Sequence, residues 1–219
     1  MDSNPLVASA VTKLTITKTI SVGSYRSIPF VRLEGIAHGE LCSTEHIPDL
    51  AKAPRNARGK VEYQTRFVLI APTEPKLSEG RLLVDVPNRG LPVSHAFYNS
   101  PRQRPLPIGS LDAGLGFLQE QGFMLVSTQW ELGQGFEPPQ FVDASGETHY
   151  VEAAGFAAVR DVARFLRDSS QADNPLAGVV KRIYAAGYSQ TSRFLKSFLL
   201  NGFNAVSYTH LTLPTILRV

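Results

Sequence analysis

The sequence is nearly devoid of cysteine, and Cys42 is the single such residue among 219. One thiol excludes an internal disulfide framework and a multi-cysteine zinc site. No apolar run approaches the roughly 20 residues that a membrane-spanning helix requires. The first residues lack the basic start and the long apolar stretch of a signal peptide. From these absences we expect no membrane span, and they favour a cytoplasmic location without fixing the compartment.

The sequence also lacks a large excess of positive or negative charge. Lys and Arg number 22 against 19 Asp and Glu, which gives a net charge of +3. No cluster of basic residues marks a nucleic-acid groove, so nucleic acid is not an expected partner. The hydrophobic fraction of 43% and the charged fraction of 19% are those of a globular domain with a sizeable core.

The first third of the chain has the pattern of β-structure. Residues 11–20 alternate β-branched and polar side chains, which predicts a strand with one buried face. The same pattern predicts strands over 27–41 and 61–71, joined by a connector rich in proline. We therefore expect residues 1–75 to form a β-rich N-terminal portion.

Strands and helices alternate from residue 80 onward. Strands are predicted over 81–86, Phe123–Thr128 and 179–186, and helices over 111–121, 151–168 and Gln190–Leu200. The clearest helix is 151–168, because apolar residues recur there at the three- and four-residue spacing of one buried face. Alternation of this kind favours parallel strands joined by helical crossovers. The predicted class is α/β, with a mainly parallel sheet and flanking helices over 76–205.

The segment Gly187-Tyr188-Ser189-Gln190-Thr191 joins the last of these strands to the last helix. A serine on so sharp a strand-to-helix turn needs small residues two positions before and after it. Gly187 satisfies this demand, whereas Thr191 stands where the pattern G-x-S-x-G has a second glycine. The turn predicts Ser189 as a nucleophile, with the Gln190 backbone N–H as an oxyanion donor. The alternative is an ordinary turn in which the serine caps the helix.

A second turn, Pro87-Asn88-Arg89-Gly90, follows the apolar strand at 81–86. Hydrolases with a serine turn place their other oxyanion donor after an upstream strand. The backbone N–H of Arg89 or Gly90 can serve in this role, and Gly90 permits close approach of a substrate. The alternative is a simple turn with an exposed Arg89 side chain.

At these motifs the chain resembles an α/β-hydrolase-domain family of largely uncharacterised serine esterases. The similarity covers roughly residues 27 to 205. The motifs that carry it are Leu33-Glu34-Gly35, Ala53-Pro54-Arg55-Asn56, Gly59-Lys60-Val61-Glu62-Tyr63, Val84-Asp85-Val86-Pro87-Asn88-Arg89-Gly90, Arg160-Asp161-Val162, Phe165-Leu166, Gly187-Tyr188-Ser189-Gln190, Arg193 and Gly202-Phe203-Asn204. The resemblance implies the N-terminal portion of an α/β-hydrolase fold and a nucleophile at Ser189. It also implies that Tyr188 and Trp130 line the substrate pocket, although a core tryptophan is an equal alternative for Trp130.

A serine nucleophile needs a histidine base and an acid that orients it, and in this fold both follow the serine. No Asp or Glu follows Ser189, and His210 is the single later histidine. The other histidines lie upstream in the wrong order: His38, His46, His95 and His149. Of these, His95 can approach the 87–90 turn, but a surface position is expected for it.

The end of the chain offers a reason for this absence. Residues 206–219 resemble a translated sequencing adapter, so we expect a non-native tail. The chain is then a fragment that stops before the acid and the histidine, which lie beyond residue 205 in its parent.

The predicted function is hydrolysis of a small-molecule carboxylic ester through an acyl-enzyme. The alternatives are acyl transfer by the same serine and a non-catalytic binding module with this fold. No metal and no organic cofactor are expected. A dinucleotide site is excluded, because Pro138-Pro139 follows Gly133-Gln134-Gly135 where a third glycine and a helix are required.

Overall fold

The computed structural model describes residues 9–100 and 114–204 of the chain. Its strands are β1 (Ala10–Tyr25), β2 (Ile28–Leu41), β3 (Val61–Pro72), β4 (Arg81–Asp85), β5 (Phe123–Thr128), β6 (Phe136–Glu137), β7 (Gln140–Val142), β8 (Thr148–Tyr150) and β9 (Arg182–Ala186). Its α-helices are α1 (Val93–Asn99), α2 (Phe117–Glu120), α3 (Ala154–Asp168) and α4 (Gln190–Leu200). Single 3₁₀ turns lie at Leu50–Lys52 and Pro75–Leu77.

Seven strands form one mixed sheet in the order β1-β2-β3-β5-β4-β9, with β6 paired to β3. The pairs β1–β2, β2–β3 and β3–β5 are antiparallel, whereas β4 runs parallel to both β5 and β9. The predicted α/β class is confirmed, but the sheet is mixed and not mainly parallel, because among the described strands parallel pairing is confined to β4, β5 and β9. The β-rich segment and the parallel strands share this sheet, and the domain boundary at residue 75 stays a prediction.

The two faces of the sheet bury different apolar clusters. Leu82 and Val84 of β4 pack with α3 and α4 residues such as Val162 and Phe198. Leu83, between them, packs on the opposite face with the cluster that includes Leu118 of α2. Since successive side chains of a strand point to opposite faces, a strand covered on both sides needs an uninterrupted apolar run.

The elements differ from the predictions where local geometry intervenes. The predicted helix 111–121 is confined to α2, because Gly116 immediately before it has φ +67°. Residues 111–113 lie outside the described part of the chain. The predicted strand 179–186 begins at Arg182, since Lys181 and Arg182 both donate to the Gly80 carbonyl. The short α1 was not predicted. In the described ranges no helix combines the length and the apolar character needed to span a bilayer.

A buried ionic network fastens α3 to the sheet. The Arg160 guanidinium bonds Asp161 at 2.7 Å and both carboxylate oxygens of Glu45 at 2.7 and 3.0 Å. The Tyr63 hydroxyl of β3 donates to the other Asp161 oxygen at 3.2 Å. Burial raises the pKa of Asp161, and the charge of Arg160 opposes this rise. The buried carboxylate of Asp161 therefore needs its hydrogen-bond and ion-pair partners, since an unpaired buried charge lowers the stability of the fold.

We predict that Asp161→Ala lowers the free energy of unfolding by about 3–5 kcal/mol, because Arg160 is left buried with part of its pairing lost. Asp168→Ala on the same helix is the matched control, since its ion pair with Arg167 is half exposed. Its cost is expected below about 1 kcal/mol. Urea unfolding of both variants measures the difference, and equal costs would contradict the role given to Asp161.

Candidate active site

The serine turn between β9 and α4 has a strained backbone. Ser189 has φ 58° and ψ −112°, which non-glycine residues rarely adopt. Its side chain makes no capping hydrogen bond to α4, so the capping alternative is not what the structure shows. The Ser189 side chain is exposed, and its hydroxyl bonds no residue in the described ranges. The turn thus presents an uncommitted hydroxyl at the end of the sheet.

Thr191 explains how the chain manages without the second glycine. Its buried hydroxyl accepts the Tyr188 N–H at 2.8 Å and donates to the Tyr188 carbonyl at 3.1 Å. A Cβ at position 187 would meet the Thr191 carbonyl at 2.7 Å and its hydroxyl at 2.9 Å. The threonine therefore closes the turn with its own side chain and makes glycine obligatory at 187.

The 88–91 turn lies beside the serine turn. Asn88 and Leu91 exchange two backbone hydrogen bonds of 2.8 and 3.0 Å. Arg89 and Gly90 between them have φ 50° and 80°, the positive pair of a type I′ turn. In the described chain the backbone N–H groups of Arg89, Gly90 and Gln190 donate to no protein acceptor. Three predicted oxyanion donors are thus uncommitted on neighbouring turns.

Three side chains hold the 88–91 turn in place. The Asn88 amide donates to the Tyr188 carbonyl at 2.9 Å and so joins the two turns directly. The Gln129 amide donates to the Gly90 carbonyl at 3.1 Å, and the Trp130 indole N–H donates to the Pro87 carbonyl at 2.8 Å. All three bonds use carbonyl groups, which leaves the N–H groups of the turn available.

Trp130 lies between the core and the 88–91 turn. Its ring packs against Phe194 of α4 with centroids 4.6 Å apart, at the edge of the core. Its N–H reaches the 88–91 turn, so the side chain links the core to the site. Whether it also touches substrate stays a prediction.

The sequence analysis missed two residues of this region, Gln129 and Glu131. The Gln190 side-chain amide donates to Glu131 at 3.0 Å, which ties the start of α4 to the segment after β5. Their position in the sequence could have identified them, because they closely follow the strand Phe123–Thr128. The ends of neighbouring parallel strands meet at one edge of a sheet, where a site is expected.

Two aromatic rings border the serine turn. Tyr188 is 54% exposed and Phe97 of α1 is 59% exposed, yet their centroids lie 4.7 Å apart. Exposed rings in mutual contact mark a surface suited to an apolar ligand. The sequence analysis singled out Tyr188 but not Phe97.

The prediction of a surface position for His95 is wrong. His95 is buried. Its backbone N–H donates to Asp85 Oδ2 at 2.8 Å, and its ring Nε2 lies 3.2 Å from the Asn99 side-chain amide. Burial raises the pKa of Asp85 to about 7, while hydrogen bonds from His95 and Ser94 act in the opposite sense. This pair belongs to the interior beneath the 88–91 turn.

The acid and the base of Ser189 are predicted to lie beyond residue 205, outside the described residues. Within the described ranges, no hydrogen bond joins its hydroxyl to a histidine or a carboxylate. His38 and His46 lie on β2 and the following loop, and His210 with the predicted tail 206–219 lies outside the described residues.

One group of metal-type ligands occurs on the β7–β8 hairpin. Ligand atoms of Asp143, Glu147 and His149 lie within 4.8 Å of one another. Hydrogen bonds from Ser145 and His149 lower the pKa of Asp143. These bonds within a tight hairpin explain why the three side chains lie close together.

We predict that Thr191→Val costs about 1–3 kcal/mol of folding free energy, because the Tyr188 N–H loses its acceptor in a shape-preserving change. Ser192→Ala is the control, since this neighbouring hydroxyl is exposed and bonds only the Gly187 carbonyl. We expect less than about 1 kcal/mol for it. Chemical unfolding compares the two, and a cost for Thr191→Val no larger than that of the control would refute the closure of the turn by Thr191.

The chain is similar to known proteins over part of its sequence. Residues 126–212 match the model of a family described as an alpha/beta hydrolase domain. No curated protein matches the chain. A solved structure from Bacteroides fragilis NCTC 9343, assigned as an acetyl xylan esterase, is similar at 11% identity and a TM-score of 0.39. The similarity covers 90% of this chain and 47% of the other, so the chain spans about half of that neighbour's length. The resemblance seen in the sequence is confirmed by this match: residues 126–212 are similar to an alpha/beta hydrolase domain.

Proposed function

We propose that Ser189 is the nucleophile of a carboxylic-ester hydrolase. Its Oγ attacks the acyl carbonyl carbon while a base takes the hydroxyl proton. The resulting oxyanion accepts hydrogen bonds from the Gln190 N–H and from Arg89 or Gly90. The alcohol leaves with a proton, and water then cleaves the acyl-enzyme and regenerates the serine.

One observation carries this proposal: a strained serine with an uncommitted hydroxyl lies beside a second turn with uncommitted N–H groups. The Asn88–Tyr188 bond fixes the two turns against each other. Oxyanion donors work when they are positioned before charge develops, because no reorganisation is then needed during the reaction.

The proposed mechanism also requires a base for the serine proton and an acid that orients this base. Residues 190–219 contain no Asp or Glu, and His210 is their single histidine. We propose that the complete activity requires an acid and a histidine that this sequence does not supply. The 219-residue chain is then expected to be nearly inactive, since general base catalysis contributes roughly 10²- to 10⁴-fold.

The substrate side of the site is proposed from Tyr188 and Phe97. Their paired rings provide an apolar surface directly before the nucleophile. We propose that this surface receives an apolar group of a small ester.

The nucleophile is tested in the chain itself with a fluorophosphonate probe and mass spectrometry of the labelled peptide. Serine Oγ displaces fluoride from phosphorus, which requires a base for the hydroxyl proton. We expect slow labelling of Ser189 that accelerates with added imidazole, because imidazole replaces the absent histidine. Stoichiometric labelling without imidazole would contradict the proposed inactivity, although not the nucleophile.

Two variants provide the controls. We expect Ser189→Ala to abolish labelling of this peptide. We expect Ser192→Ala, which removes a nearby exposed hydroxyl on α4, to retain it. No labelling of Ser189 in the presence of imidazole, or a label that moves to Ser192, excludes Ser189 as the nucleophile.

The apolar surface is tested by comparing phenyl- and methyl-substituted probes in imidazole. Phe97→Ala is expected to reduce the phenyl-to-methyl rate ratio roughly 2- to 12-fold, because an aromatic contact is worth about 0.5–1.5 kcal/mol. Tyr150→Ala, a similarly exposed ring on β8, is the control and should leave the ratio unchanged. An unchanged ratio in Phe97→Ala would remove the surface from the substrate site.

A further inference from the structure

Asp85 closes the loop that contains the 88–91 turn. It ends β4 and is 1% exposed. Its Oδ2 accepts a hydrogen bond from the His95 backbone N–H at 2.8 Å, and Ser94 bonds the same carboxylate through its backbone and its side chain. Both partners lie on α1, beyond the turn, so this carboxylate fixes the two ends of the loop to each other.

A small cavity lies next to the second oxygen of this carboxylate. Its volume is about 10 Å³, and its walls come from β3, β4, β5 and α1. Its polar walls are Asp85, His95 and Ser127, and its apolar walls are Val68, Ile70, Leu125 and Val126. A cavity of this size holds one water molecule.

Asp85 Oδ1 and the Ser127 hydroxyl, both buried in the cavity walls, have no hydrogen-bond partner in the described part of the chain. A buried carboxylate oxygen without a hydrogen bond is costly, whereas a water that bonds both atoms satisfies them together.

We propose that one structural water occupies this cavity, bonded to Asp85 Oδ1 and Ser127 Oγ, and that Asp85 is a positioning residue for the 88–91 turn. The positioning role rests on the proposed function of that turn, but the water site does not. The water donates to the carboxylate and so completes a clamp beneath the oxyanion donors.

The clamp depends on the charge of Asp85. Burial raises its pKa to about 7, and a water donating to Oδ1 favours the charged form and lowers the midpoint below that value. The group that faces Asp85 from α1 is the titratable His95. The side chains from β3 and β5 are uncharged, as is Ala186, its neighbour in β9. Protonation weakens the bonds from Ser94 and His95, and the turn loosens as the pH falls.

The chain contains its own reporter for this movement. Trp130 is the single tryptophan, and its indole N–H bonds the Pro87 carbonyl at the start of the turn. Its fluorescence, recorded against pH, is the measurement. We expect one transition in the unmodified chain below about pH 7, and no such transition in Asp85→Asn, which keeps the side-chain shape without the charge.

Two further variants test the water. Ser127→Ala removes one of its anchors and is expected to raise the Asp85 midpoint by about half a pH unit or more. Thr128→Val is the matched control, because it removes a buried hydroxyl from the next residue of β5, which does not line the cavity. Equal shifts in the two variants would overturn the water site, as would a crystal structure with an empty cavity.

A transition that persists in Asp85→Asn overturns the role of Asp85. If this variant does not fold, the NMR shift of the Asp85 carboxyl carbon in the unmodified chain gives the midpoint directly. Ser189→Ala should leave the Trp130 profile unchanged. Failure of Ser189 to react therefore rejects the proposed function alone, and an altered profile in the Asp85 series tests the clamp alone.

Discussion

The parallel pairing of β4 with β9 is the constraint on which the site depends. Asp85 is opposite Ala186 in this register, and the Val86 N–H bonds the Ala186 carbonyl at 3.0 Å. Because both strands end at the same edge, the chain leaves them side by side into the 88–91 turn and the serine turn. A shift of one residue would turn every side chain of β9 to the opposite face and separate the two turns.

The strain at Ser189 is maintained by its surroundings. A non-glycine residue in this conformation costs about 1–3 kcal/mol, so the rest of the structure must determine it. Before the serine, the Tyr188 backbone is bound by Thr191 and Asn88. After it, α4 is anchored by Phe194 and Phe198 in the core. Burial of these side chains thus stabilises the strained backbone of the turn.

The sequence was sufficient where local pattern decides the structure. Phe123–Thr128 and Gln190–Leu200 were predicted to the residue, because an uninterrupted apolar run and an amphipathic spacing follow from local burial. The serine turn was predicted from glycine and serine spacing. The helix α1 was not, since its seven residues owe their position to Asp85, which bonds them from another element.

The supporting side chains of the site were beyond prediction for a related reason. Gln129 and Glu131 matter through partners distant in the sequence, Gly90 and Gln190. No periodicity records such a contact. Thr191 was treated as a partial match to a motif, and only the three-dimensional arrangement shows that its hydroxyl serves the turn.

The bonds that hold the serine turn have one more consequence. Asn88 and Thr191 both engage the main chain of Tyr188 and leave its ring alone. The side chain at position 188 is therefore not needed to hold the backbone of the turn. Its shape and polarity are open to change by mutation at little cost to the turn, and under the proposed function selection can alter ester preference at this position.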